Sequence, residues 1–115
     1  DLAAVLSWLA DNTTNQAYIT LGYSFGAYVI CHSKAHPNLQ QRILVAPPNA
    51  VMQCPINSSK LPLDIIYGAA DDYVNSGAFP AGENVAAHML PGADHFFSGQ
   101  HDTLATALRN ILSSD

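Results

Sequence analysis

The sequence predicts a single α/β domain spanning residues 1–115, built in three layers around a mostly parallel sheet of about four strands with flanking helices. Three observations carry this reading. Short β-prone runs alternate with segments of helical periodicity, which implies parallel strands joined by right-handed crossovers. Each run stops at a glycine or proline, at Gly22, Pro47-Pro48, Gly68 and Pro91-Gly92. The length of 115 residues suffices for one modest core, burying roughly two-thirds of the unfolded surface.

The elements follow in order. Leu2, Val5, Leu6 and Leu9 recur at helical spacing, so residues 1–11 read as an amphipathic helix, with Trp8 on its core side. The cluster Asp11-Asn12-Thr13-Thr14-Asn15 ends it. Tyr18-Ile19-Thr20-Leu21 is the first strand. Phe25 to about Ala35 is helical again, closed by His36-Pro37 because the residue before proline avoids the helical region. Arg42–Ala46 is the second strand, and residues 47–61, rich in Pro, Asn and Ser, form an extended loop. Leu63–Tyr67 is the third strand and Val85–Leu90 a weaker fourth. Leu104, Ala107, Leu108, Ile111 and Leu112 mark a C-terminal helix.

Composition removes several function classes. The formal charge is −5 and the cations are Lys34, Arg42, Lys60 and Arg109, so no basic stripe offers a footprint for nucleic acid. No apolar run approaches the roughly 18 residues of a membrane span, and no signal-peptide pattern is visible. Only 11% of residues are charged against a usual ~25%, which suggests that part of the surface is covered. Cys31 reads as a buried small hydrophobe and Cys54 as an exposed residue. A bridge between them is open, but a reducing cytoplasm is the simpler reading.

Three chemically apt residues fall just beyond the carboxyl ends of strands, where open parallel sheets place their ligands. Ser24 sits in Gly22-Tyr23-Ser24-Phe25-Gly26, on the turn from a strand into a helix. Such a turn projects the hydroxyl and strains the backbone, and the glycines let neighbouring elements approach. Asp71 follows the third strand in Gly68–Val74, and His95 follows the fourth in Pro91–Phe97. A histidine oriented by a carboxylate can take a serine proton, and the Phe25 amide at a helix N-terminus would face an oxyanion. Tyr23 and Phe96 flank this group and read as pocket residues. Asp72 reads as a solvated or capping carboxylate, and Asp94 as a brace of the histidine loop. His32 and His36 read as structural or solvated, and His88 as a sheet-face residue. The spacing of Asp94, His95, His101 and Asp102 matches no familiar metal site.

The stretches Gly22–Gly26, "LVAPP" at 44–48, "GAADDYV" at 68–74 and "PGADHFF" at 91–97 resemble small bacterial α/β-hydrolases of the dienelactone-hydrolase-like type. The resemblance covers nearly the whole chain but only the C-terminal half of that fold. It implies a serine hydrolase that needs no metal or cofactor and acts on small esters or lactones. Ser24 would be the nucleophile, His95 the base and Asp71 the acid, in the chain order of that family. Complete members carry earlier strands and a loop that supplies a second oxyanion amide. A single donor would lower the rate by about 10²–10³. An apolar edge strand near residues 17–22 is a pairing site, so a homo-oligomer joined there is expected. The alternative function is a catalytically weak or inactive fragment that persists by such self-association.

Overall fold

The computed structural model describes residues 18–33, 37–55 and 61–113. The helix expected over 1–11, its terminating turn, Trp8 and His36 lie outside them. Four parallel strands, β1 (Tyr18–Tyr23), β2 (Leu39–Val45), β3 (Leu63–Gly68) and β4 (Val85–Leu90), pair in the order β1-β2-β3-β4. Helix α1 (Phe25–Cys31) follows β1, and helix α2 (His101–Leu112) closes the described chain.

The period-2 alternation of the strands splits the core into two clusters. Ile43, Val45, Ile66 and Leu90 face α2, joined there by Ala93, Phe97 and Ile111. Leu44, Leu63 and Ile65 face α1, joined by Ala27, Ile30 and Cys31. Helices on opposite faces of one sheet make the three-layer α/β fold that the sequence predicts. Central β2 and β3 are mostly buried, and their apolar segments Ile43-Leu44-Val45 and Ile65-Ile66 carry side chains into both faces, as parallel strands do. No helix among the described residues is long and apolar enough to cross a membrane.

The boundaries differ in instructive ways. β1 runs two residues past Leu21, because Gly22 and Tyr23 still pair with Leu44 and Val45. Gly22 makes this extension compatible with α1: a Cβ there would lie 2.5 Å from the carbonyl group of Gly26. Gly26 has no such duty, since nothing described beyond its chain neighbours and its own helix backbone comes within 4 Å of a Cβ at that position. Helix α1 ends at Cys31 rather than near Ala35. The Ser33 hydroxyl turns back to the Val29 carbonyl at 2.8 Å, and residues 34–36 are not described.

The cysteine reading is corrected outright. Cys31 and Cys54 form a disulfide, with Cα atoms 5.4 Å apart. The loop after β2 folds back along α1, and His32 Nε2 meets the Gln53 carbonyl at 2.7 Å, which brings the two cysteines within bridging range. Cys31 is buried as expected, but as half of a cross-link that anchors the 47–55 loop to the helix behind Ser24. The free-thiol argument for a reducing compartment falls with it.

Candidate active site

The carboxyl ends of the strands gather the three singled-out side chains into one hydrogen-bonded line. Ser24 Oγ lies 2.7 Å from His95 Nε2, and His95 Nδ1 lies 2.8 Å from Asp71 Oδ2. The Asp71 side chain is fully buried and the His95 side chain 9% exposed. A buried carboxylate opposite Nδ1 selects the tautomer that carries its proton there, so the serine hydroxyl donates to Nε2.

Each member is held by its local sequence. Ser24 adopts φ 53 and ψ −110 at the head of α1, the strained turn expected of a serine projected between strand and helix. Its N–H donates to the Val45 carbonyl at 2.8 Å, tying the turn to β2. Asp71 Oδ1 accepts the N–H of Tyr73 at 2.9 Å, which leaves Oδ2 for the histidine. Asp94 braces the His95 loop, as predicted: its Oδ1 accepts the N–H groups of Phe96 at 3.1 Å and Ser98 at 2.9 Å. These bonds, those from Ser98 first, hold the Asp94 carboxyl below its ordinary value. Ser24, Ala46 and Phe97 are the described non-glycine residues with positive φ, and all three lie at strand ends or in loops around this site.

A cavity of about 310 Å³ opens in front of the line, walled by Phe25, Pro48, Val51, Met52, Tyr73 and Phe96 with Ser24 and His95 at its base. Phe25 therefore lines the cavity while its N–H heads α1. Phe96 stands in the cavity wall. Tyr23 does not, and this corrects the pocket role expected for it. Its side chain lies on the α2 side of the sheet, stacked against the imidazole with centroids 5.9 Å apart, and its hydroxyl donates to the His95 carbonyl at 2.8 Å.

Val51, Met52 and Tyr73 escaped sequence reasoning. Their one visible signal was apolar bulk in otherwise polar segments. Asp72 is exposed, as expected. His88 pairs with Asp64 at 2.9 Å on the α2 face, and His101 Nε2 lies 3.3 Å from the Phe96 carbonyl. Neither joins the Ser24 line.

The sheet order, the strained serine turn and the Ser-His-Asp line at the strand ends define part of an α/β-hydrolase fold. Solved structures agree. An α/β serine hydrolase homologue from Coxiella burnetii superposes with a TM-score of 0.80 at 27% identity, over 98% of this chain and 57% of its own. A Xanthomonas campestris α/β serine hydrolase described as lacking a lid gives 0.78 at 27%, over 96% and 53%. A putative α/β hydrolase from Agrobacterium tumefaciens, at 24% identity, shares the fold with a TM-score of 0.72, over 96% and 56%. The chain thus spans little more than half the length of these neighbours. No family model matches it, and neither does any curated protein.

Proposed function

We propose that the chain is a serine hydrolase, carboxylesterase-like, acting on small esters or lactones without metal or cofactor. The observation that carries this reading is the continuous line from Ser24 Oγ through His95 to buried Asp71 at the base of an apolar cavity. Ser24 Oγ attacks the ester carbonyl while its proton passes to His95 Nε2. The imidazolium is stabilised by Asp71, and the oxyanion is met by the Phe25 N–H at the head of α1. Collapse breaks the bond to the leaving oxygen, which takes the proton from His95. Water then attacks the acyl-serine, returns a proton through His95, and releases the acid with Ser24 restored. At about 310 Å³ the cavity is at the small end of ligand pockets, and its Phe25, Val51, Met52 and Phe96 walls suit a short apolar acyl group. The lid-free description of the Xanthomonas campestris neighbour fits a small, open site.

A second reading, a catalytically weak or inactive fragment that persists by self-association, draws support from β1. This edge strand leaves Ile19, Leu21 and Tyr23 between 43% and 48% exposed along one face. One comparison separates the two: p-nitrophenyl esters of graded acyl length assayed alongside the sedimentation of the same sample. Turnover that peaks at short acyl chains and vanishes in Ser24→Ala supports the hydrolase. A dimer without Ser24-dependent turnover supports the second reading and sinks the first.

A further inference from the structure

We infer that Tyr23 is a positioning residue for the proposed reaction, fixing the reach of the His95 imidazole toward Ser24; the inference rests on the reading of Ser24 as nucleophile. Tyr23 and Ser24 are consecutive at the end of β1, and both touch His95. The Tyr23 hydroxyl holds its main chain at 2.8 Å, and Ser24 Oγ meets its ring at 2.7 Å. Two attachments from neighbouring residues, one to the backbone and one to the ring, set the distance between nucleophile and base from a single strand end.

That strand end is the rigid partner. Tyr23 pairs with Val45 in the β1–β2 ladder, and the Ser24 N–H bonds the Val45 carbonyl. The histidine loop is tied to the fold at its start, where the Ala70 N–H reaches the Ala93 carbonyl at 2.9 Å, and by buried Phe97, whereas the Tyr23 hydroxyl is the bond that holds the His95 main chain itself. The loop passes through Gly92 and Gly99 at φ 71 and Phe97 at φ 53, and Asp94 braces its interior. The Tyr23 ring also stacks on the imidazole at 28°, while Tyr73 and Phe96 lie at centroid distances of 4.5 and 5.4 Å. Desolvation, with the Asp71 and Asp94 carboxylates adding to it, raises the Tyr23 phenol above its ordinary value, so it stays a donor through the neutral range.

Because Tyr23 stands outside the cavity wall, its hydroxyl bears on the base and leaves substrate binding alone. Tyr23→Phe keeps the ring and removes only the hydroxyl. We expect kcat for p-nitrophenyl butyrate to fall about tenfold, short of the roughly hundredfold cost of a full ångström of misplacement, with KM within about twofold. We expect the downfield proton resonance of the Asp71–His95 hydrogen bond to be narrow in the wild-type chain and to broaden by exchange in the variant. Unchanged kcat and an unchanged resonance would overturn the inference while leaving the hydrolase reading intact. A Tyr23→Phe chain that fails to fold would make Tyr23 merely structural and overturn it as well. A wild-type chain inert toward the ester would remove the nucleophile reading and this inference together.

Discussion

Asp71→Asn should lower kcat for ester hydrolysis by roughly 10⁴-fold while the chain stays folded. Asp71 Oδ2 accepts the proton on His95 Nδ1, and Oδ1 accepts the Tyr73 N–H. Asparagine can keep the second bond through its carbonyl oxygen, so the turn after β3 survives. Its amide nitrogen then faces Nδ1 and demands an acceptor there, which moves the imidazole proton to Nε2. A protonated Nε2 cannot take the Ser24 proton. Initial rates with a p-nitrophenyl ester, read beside far-UV dichroism, check both halves of this expectation. A loss below about tenfold in a folded variant would show that Asp71 does not set the tautomer.

The second large effect is structural. Gly68→Ala should destabilise the chain by about 3 kcal/mol, the upper end of ordinary overpacking, and should also displace His95. A Cβ at Gly68 would lie 2.1 Å from the Ala93 carbonyl oxygen and 2.6 Å from its carbon. Those are backbone atoms and cannot swing aside as a flexible side chain would. The contact marks where the end of β3 crosses the start of the histidine loop, and two hydrogen bonds sit on it. Ala70 N–H reaches the Ala93 carbonyl at 2.9 Å, and Asp71 N–H reaches the Gly68 carbonyl at 3.1 Å. Pushing the crossing apart therefore moves the acid and the base relative to each other. Gly26→Ala is the comparator: with nothing beyond its own helix backbone and chain neighbours within 4 Å of its Cβ and a helical position, it should not destabilise the chain. Urea midpoints of the two variants decide the matter, and equal midpoints would contradict the close-crossing argument.

Much of this was legible in the sequence because strand ends in parallel sheets are punctuated by residues with strict backbone demands. Gly68, Pro91-Gly92 and Pro47-Pro48 marked the ends of β3, β4 and β2, and the Val85–Leu90 strand came out with its observed bounds. Ser24, Asp71 and His95 were visible because each follows such an end directly. What stayed hidden depends on contacts made across the fold. The Cys31–Cys54 bridge joins residues 23 apart through a loop whose return path no local pattern encodes. Val51 and Met52 become a cavity wall only because that loop is anchored over α1. Tyr23, beside the serine, invited a pocket role. Strand alternation instead turns its side chain to the α2 face, and a period-2 count extended two residues past Leu21 would have shown this. Gly22 and Gly26 look equivalent around the serine. Only the packing of α1 against β1 distinguishes the glycine with no room for a Cβ from the one with room.

The most direct test of the account is to treat the folded chain with a fluorophosphonate, measure its intact mass, and map any adduct by peptide sequencing beside Ser24→Ala. The account predicts one stoichiometric adduct, located on Ser24 and lost in the variant, because only a serine whose proton can pass to a correctly placed imidazole attacks the phosphorus at a useful rate. A folded chain that takes up no label, or one labelled equally in Ser24→Ala, would contradict it.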